Sequence, residues 1–497
     1  MKVSVLFGRA GIKYPRDAAN IEISGIATDS REVCEGCVFV CIKGGRHDGH
    51  RHIDEAILAG ARVIVAEQVR DEGVGGAAAI CVENTRAACA LLYNAWYGDP
   101  AGDMKIIAVT GTNGKTSVTK ILKAIFEADG RRSGIIGTVG CMSGERRIDS
   151  DSNDPLANMT TPAPSELYRL LSVMRDDGVE YVFIEASSHA LEQSRLEALN
   201  IDTALFTNLT QDHLDFHVSM ENYFWAKAKL FGRCRRAIIN IDDDWAERMI
   251  SACVTKDILT VSAEKKADFR VLDINELGVD GSEFVLRTPW REMKIRTSLT
   301  GRFFVINTAL AASTALLYGI SPETVARAVG DIVGIDGRME RVELGERAKI
   351  SVIIDYAHTP DALENLLRSV SALKKERLQR TILVFGCGGE RDRTKRAEMA
   401  RIASRHADTV VITSDNSRGE PPERIFSDIL KGMDKEKEFC LIPDRAIAIE
   451  WAVREARAGD IVVLAGKGHE RYEINKTGKH PFDERKIVKE VYNKIYR

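Results

Sequence analysis

Short runs of β-branched and aliphatic residues recur along this chain, separated by longer stretches whose apolar positions return every three or four residues. Runs at 105–110, 135–139, 181–185, 204–207 and 237–241 predict buried strands. Helical spacing follows the first of them, with Val118, Ile121, Leu122, Ile125 and Phe126 apolar over 116–129 before Gly130 stops the pattern. Leu167, Leu170, Leu171 and Met174 repeat it. A second series of strand-like runs occupies 352–355, 382–385, 410–413 and 461–465, most followed by amphipathic stretches such as 361–373. The first hundred residues carry a smaller version, with apolar runs at 36–42 and 61–67 around a helical stretch at 52–59. Strand–helix alternation of this kind predicts an α/β protein with mostly parallel sheets. Trp96-Tyr97-Gly98-Asp99-Pro100 punctuates the chain, and the expected domains are 1–98, 99–333 and 334–497.

The polar residues gather where such strands end. Between the strand 105–110 and the next helix lies Gly111-Thr112-Asn113-Gly114-Lys115-Thr116. Glycines let backbone N–H groups turn onto phosphate oxygens, and a helix N-terminus adds partial positive charge. Lys115 can reach terminal phosphates and Thr116 can offer a hydroxyl to Mg²⁺. This predicts a nucleoside triphosphate site. The general P-loop pattern has a further glycine where this chain has Val109, so a Gly-rich turn without phosphate is the alternative.

Glu185-Ala186-Ser187-Ser188-His189 follows one strand, and Asn208 to Asp215, with His213, follows the next. A carboxylate and an imidazole at such strand ends suit a metal around a triphosphate; the plainer alternative makes His213 a helix cap. The last third repeats the arrangement with Asp355-Tyr356-Ala357-His358, Gly386 to Asp392, Ser414 to Arg418 and Gly466-Lys467-Gly468-His469-Glu470. Their common position at one sheet edge marks a ligand site. Near the start, Thr28-Asp29-Ser30-Arg31 and the loop 43–50, KGGRHDGH, suit a phosphate- or sugar-bearing ligand or a solvated turn equally well.

Composition narrows the class. The 497 residues are 44% hydrophobic and 29% charged with a net charge of -3, which speaks against disorder and against a basic nucleic-acid surface. No apolar run is long enough for a membrane span, and the first residues lack a signal-peptide core, so a cytoplasmic location is expected. The ten cysteines lack paired metal-ligand spacing, Cys34 and Cys37 being the only close pair, and read as reduced, mostly buried thiols.

TGTNGKT, EASSHAL, NLTQDHLDFH, DYAHTPDAL, GCGGERD and GKGHE occur in the order found in the ATP-dependent Mur ligases of peptidoglycan synthesis, which the chain resembles over nearly its whole length. The resemblance implies three domains: an N-terminal UDP-binding domain, a central P-loop ATPase domain and a C-terminal Rossmann-like domain that binds the amino acid. It implies ATP and Mg²⁺ as cofactors, with UDP-N-acetylmuramoyl-L-alanyl-D-glutamate and meso-2,6-diaminopimelate as substrates, and neither nucleic acid nor membrane as partner. Lys115, Glu185, His213 and Lys227 are the implied catalytic residues. Thr116, Glu185, His213 and a carbamylated Lys227 would serve the metal. Gly111, Thr112, Asn113, Gly114, Lys115 and Thr116, with Asn307, Arg338, Asp355 and His358, would hold the nucleotide. Thr160, Thr161, Ser187, Gln193 and Arg195 match positions for the muramoyl-dipeptide, and Ser30 with the loop 43–50 matches the uridine diphosphate end. Arg391, Asp415, Asn416, Arg418, Gly466 and Glu470 would form the amino-acid pocket. Without the resemblance, Lys227 and Lys229 read as solvated helix lysines.

The chain departs from the family pattern at Phe304, where Asn is usual, at Ser417, where Pro is usual, and at Glu473, where Gln is common. The implied reaction activates the D-glutamyl γ-carboxylate as an acyl phosphate, which the incoming amine then attacks. Rival readings are the same ligation with L-lysine, a folylpolyglutamate synthetase, a small-molecule kinase and a non-catalytic nucleotide-binding module.

Overall fold

The computed structural model describes residues 1–497 except 45–46, 69–74, 150–158, 346–347, 375–377 and 497, so Gly45 and Arg46 of the loop 43–50 lie outside the described residues. The fold is α/β with largely parallel sheets. The chain divides into two compact units, Met1–Ala108 with Arg132–Asp202, and Val109–Arg131 with Thr203–Arg497. The strands Lys105–Thr110 and Ile201–Phe206 straddle that division.

The first unit opens with a four-stranded parallel sheet, Gly25–Ala27, Cys37–Val40, Val63–Ala66 and Ala78–Cys81 in that order. Its middle strands are buried at every position, which explains why they read as unbroken apolar runs. A core of Phe39, Ile64, Ile53 and Ala56 joins this sheet to the helix Ile53–Leu58. Further along, Tyr181–Glu185 pairs in parallel with Ser133–Gly137, which continues antiparallel into Gly140–Ser143 and Arg146–Arg147. The apolar face of the helix Pro164–Asp176 buries Leu167, Leu170, Leu171 and Met174 at the predicted spacing.

In the second unit the helix Lys115–Ala128 packs against Arg302–Leu317. The strands Ile201–Phe206, Cys234–Asn240, Ile258–Ser262, Phe269–Glu276, Ser282–Arg287 and Glu292–Thr297 are neighbours in that order, and the last two pairings are antiparallel. A separate six-stranded sheet runs Glu340–Arg341, Ser351–Asp355, Ile461–Ala465, Thr381–Phe385, Thr409–Ile412 and Phe439–Leu441. All of its pairings are parallel except the first. Successive residues point to opposite faces: Ile353, Leu383 and Val463 pack beneath Pro360–Leu373, Thr394–His406 and Pro422–Leu430, while Val352, Val384 and Val462 pack beneath Arg445–Glu455 and Glu484–Tyr496. Helices on both faces leave the C-terminal strand ends as the open edge, and the polar loops emerge there.

Candidate active site

In the second unit the loop after Lys105–Thr110 is held by its neighbours before any ligand is considered. Gly111 has φ +152° and a Cβ there would overlap Thr207 Oγ1; Gly114 has φ +90° and a Cβ there would lie 2.6 Å from Asn307 Oδ1. Both glycines are therefore required by close approach as well as by backbone geometry. Asn208 braces the loop from the next strand end, its Oδ1 accepting from Asn113 N at 2.9 Å and its carbonyl accepting from Thr112 N at 2.9 Å. Thr207 Oγ1 donates to the Asn113 carbonyl at 2.6 Å, and Thr210 N donates to Thr112 Oγ1 at 3.0 Å. Asn113 Nδ2 donates to Asp361 Oδ2 at 2.8 Å.

Lys115 Nζ folds over this loop, donating to the carbonyls of Gly111 and Thr112 at 2.8 and 2.9 Å. Lys227 Nζ donates to the same Gly111 carbonyl at 2.8 Å and lies 4.5 Å from the Tyr223 ring centroid. The solvated-lysine reading of Lys227 is overturned. Only 1% of it is exposed, whereas Lys229 is exposed, because the helix Met220–Ala228 turns position 227 inward. Burial, and then the nearby Lys115, depress the Lys227 amine well below the ordinary lysine range.

His213 sits at φ +55° at the head of the helix Leu214–His217 without capping it through its side chain. Its Nε2 lies 3.4 Å from Asp212, which also faces Lys395 Nζ at 2.9 Å and His358 Nε2 at 3.6 Å. Burial alone would raise the Asp212 carboxyl, yet Lys395 and the two imidazoles hold it well below the usual carboxylate range. Arg338 Nη2 donates to Thr116 Oγ1 at 3.2 Å, with its guanidinium over the Tyr356 ring. Asp355 accepts from Met339 N at 2.6 Å and Ala357 N at 2.8 Å, so it shapes the loop that carries His358. Asn208, Asp212, Tyr223 and Lys395 were missed as site residues. Phe304 is fully buried within Arg302–Leu317 and stacks at a tilt on Phe303, so the side chain at this departure belongs to the helix core.

The first unit holds a second cluster. Glu185, 1% exposed, accepts from Thr138 N and Thr138 Oγ1, both at 2.9 Å. Thr138 Oγ1 also lies 3.1 Å from Thr160 Oγ1, whose hydroxyl can donate to it. Thr161 Oγ1 donates to the Glu185 carbonyl at 2.6 Å, and Ser187 caps Ser188–Glu192 through Ala190 N. Gln193 Oε1 accepts from Arg195 Nη2 at 2.7 Å, while Arg195 Nη1 donates to the Thr161 carbonyl at 2.5 Å. Burial lowers the Arg195 guanidinium to about 10, and among the described residues it has no carboxylate partner. Thr160, Thr161, Glu185, Ser187, Gln193 and Arg195 thus form one connected group with Thr138. Ser30 donates to Glu55 Oε2 at 2.9 Å on the exposed edge of the N-terminal sheet.

At the C-terminal sheet edge, Asn416 is the hub. Its Nδ2 donates to Glu470 Oε2 at 2.7 Å, and its Oδ1 accepts from Lys467 Nζ at 3.1 Å and Ile474 N at 2.8 Å. Asp415 lies 3.6 Å from the fully buried Lys467, and a Cβ on Gly466 would come within 2.9 Å of Asp415 Oδ2. Arg418, at φ +52°, donates from its guanidinium to the carbonyls of Gly389 and Asn416, at 3.0 and 3.1 Å. Burial and the neighbouring Arg391 lower its guanidinium. Arg391 itself is exposed. Glu473 accepts from Ser414 Oγ at 3.1 Å.

A glycine-built loop at a helix N-terminus, two lysines on its Gly111 carbonyl and a polar sheet edge in the same unit define a class, the P-loop α/β proteins. Three family models match: "Mur ligase family, catalytic domain" over residues 22–97, "Mur ligase middle domain" over 109–315 and "Mur ligase, glutamate ligase domain" over 337–468. The UDP-N-acetylmuramoyl-L-alanyl-D-glutamate–2,6-diaminopimelate ligase of Syntrophomonas wolfei is 41% identical over 99% of both chains. A solved structure of a ligase with that same name aligns over 100% of both chains at 30% identity, with a TM-score of 0.70. A folylpolyglutamate synthase from Mycobacterium tuberculosis shares the fold over 77% of this chain and 92% of its own, at 19% identity and a TM-score of 0.62. The chain belongs to the Mur ligase family.

Proposed function

We propose that this chain joins meso-2,6-diaminopimelate to UDP-N-acetylmuramoyl-L-alanyl-D-glutamate at the expense of ATP, making a peptidoglycan precursor. The relatives named for that reaction support it over their full length. The observation that carries the amino-acid assignment is Arg418, a largely enclosed guanidinium whose hydrogen bonds among the described residues go to backbone carbonyls, beside Asp415, Asn416 and Glu470. A planar fork with spare donors in such a place suits a carboxylate. The folylpolyglutamate synthase covers 77% of this chain, less than the diaminopimelate ligases cover.

A carboxylate is a poor electrophile, so the D-glutamyl γ-carboxylate is first converted to an acyl phosphate, and the unprotonated amine then displaces phosphate. Lys115 would meet the phosphoryl charge as it transfers, exchanging its carbonyl partners for phosphate oxygens. Arg195 would meet an anionic group of the muramoyl-dipeptide, and Gln193 and Thr161 orient it.

Among the described residues no three His, Cys, Asp or Glu side chains form a metal cage. The donors available fit Mg²⁺, a hard cation that keeps waters and takes few protein ligands together with phosphate oxygens. Thr116 and His213 would hold it, with Lys227 once carbamylated, and Glu185 is proposed in the same capacity on the resemblance. Bound there, Mg²⁺ would neutralise charge developing on the phosphates. The depressed Lys227 amine supports carbamylation, since only a neutral amine adds CO₂.

Phosphate release is the test. It should require UDP-N-acetylmuramoyl-L-alanyl-D-glutamate and meso-diaminopimelate together, and in competition with L-lysine and L-ornithine the diaminopimelate should be consumed. Release without either substrate, or preference for lysine, overturns the reading.

A further inference from the structure

Cys34 and Cys37 stand apart from the other eight of the ten cysteines. Their sulfurs lie 2.8 Å apart. Cys37 N donates to the Cys34 carbonyl at 3.1 Å, closing a four-residue turn. A turn of that kind keeps its end Cα atoms within about 7 Å, the range a disulfide needs.

The turn is fixed from outside. Gly36, at φ +86°, donates to the Gly60 carbonyl at 2.9 Å and accepts from Ser24 N at 3.1 Å. Ser24 Oγ donates to the Glu35 carbonyl at 2.6 Å. The backbone that carries both sulfurs is therefore set before any bond forms between them.

The two thiols differ in the way an exchange couple requires. Cys34 is exposed, whereas Cys37 is buried at the head of the strand Cys37–Val40. A hydrogen bond from Cys37 lowers the Cys34 thiol, while burial raises that of Cys37. The outer sulfur is the nucleophile and the inner one the resolving thiol. A zinc reading lacks further ligands, since among the described residues no third His, Cys, Asp or Glu completes a cluster.

We propose that Cys34 and Cys37 form a reversible dithiol–disulfide couple that exchanges with small-molecule disulfides. The Cys34 thiolate attacks one sulfur of RSSR and expels RS⁻. Cys37 then gives its proton to solvent and attacks the Cys34 sulfur, displacing the second RS⁻. Two protein thiols are oxidised and one RSSR is reduced to two RSH.

The full-length protein reports the outcome through one tryptic peptide, residues 32–43, which contains Cys34, Cys37 and Cys41. After dithiothreitol and denaturing alkylation with N-ethylmaleimide it should carry a label on all three cysteines. After oxidised glutathione it should carry a label on Cys41 alone and weigh two hydrogens less, and dithiothreitol should reverse the change. Cys37→Ser should retain glutathione on Cys34, which the wild type sheds. Full labelling of the oxidised wild type, or glutathione retained on its Cys34, overturns the proposal whether or not the variant folds.

Discussion

Lys227 and Lys115 aim their side-chain nitrogens at one atom, the Gly111 carbonyl oxygen, each at 2.8 Å. Two ammonium groups sharing an acceptor repel, and Lys227, the buried one, is the one pushed toward the neutral amine. That amine can add CO₂, and the carbamate would turn a repelling cation into an anion beside Lys115. Lys227→Ala is expected to be nearly inactive, with part of the activity restored by acetate. Wild-type activity should fall after acid treatment and return with bicarbonate. Full activity in Lys227→Ala would make the residue structural.

Lys115 is half-buried over its own loop, where Nζ donates to the Gly111 and Thr112 carbonyls. Lys115→Ala should lower kcat by roughly 10²–10³-fold, the usual loss when one preorganised charge partner of a transition state is removed. Tm without nucleotide should stay close to wild type. Near-normal turnover in the folded variant would remove Lys115 from phosphoryl transfer.

Thr138 gives Glu185 two hydrogen bonds, one from the backbone and one from the hydroxyl. Groups that orient a metal-binding carboxylate in this way typically change metal affinity about 10–100-fold when removed. Thr138→Val keeps the shape and deletes one donor, so the Mg²⁺ concentration for half-maximal activity should rise by about that factor. An unchanged Mg²⁺ titration would separate Glu185 from the metal.

The strands that read correctly from sequence are those buried on both faces, such as Thr381–Phe385 and Ile461–Ala465, where every residue is apolar or small. Phe269–Glu276, Ser282–Arg287 and Glu292–Thr297 escaped because one face is open and their apolar runs are broken by Arg270, Asp273, Lys294 and Arg296. The loop Gly111–Thr116 was legible because its chemistry is contiguous. Asn208, which holds that loop, lies 95 residues from Asn113, and Lys395 lies 183 from Asp212. Those pairings exist only once the strands are placed side by side. The burial of Lys227 was equally hidden, because helix spacing alone does not show which face turns inward.

The Asp212–Lys395 pair makes a prediction that can be followed with pH. Both side chains are buried, and removing one partner of such a pair costs about 3–5 kcal/mol by leaving the other charge unpaired. Asp212 in the folded protein stays ionised well below its unfolded value near pH 4, so its stabilisation is complete above that pH and is lost as pH falls through the lower folded value. Lys395→Met should therefore lower Tm strongly at pH 7. The gap from wild type should narrow as pH drops toward 3, because a protonated Asp212 needs no cation. A gap independent of pH would mean that the loss comes from packing.

Under the proposed function, Arg418 would decide the amino acid. meso-Diaminopimelate differs from lysine by a second carboxylate at the far end, and a guanidinium can grip that group through two parallel hydrogen bonds. Arg418 is positioned for this by its own backbone: φ +52° turns the chain back, Arg418 N donates to Ile474 O at 3.0 Å, and Nη1 alone serves both the Gly389 and Asn416 carbonyls. No carboxylate lies within ion-pair distance among the described residues, so its remaining donors are available to a ligand. Asn416 and Glu470, bonded at 2.7 Å, stand beside it and can orient the distal ammonium. The usual proline before this arginine is Ser417, which does not fix φ but is itself buried, so packing holds the turn. Arg418→Ala should weaken diaminopimelate by about 2–5 kcal/mol, the cost of truncating one partner of an enclosed charge pair. The effect should appear as a raised KM for diaminopimelate with the KM for ATP nearly unchanged. Lysine, lacking the second carboxylate, should lose little. Equal losses for both amino acids would place the second carboxylate elsewhere.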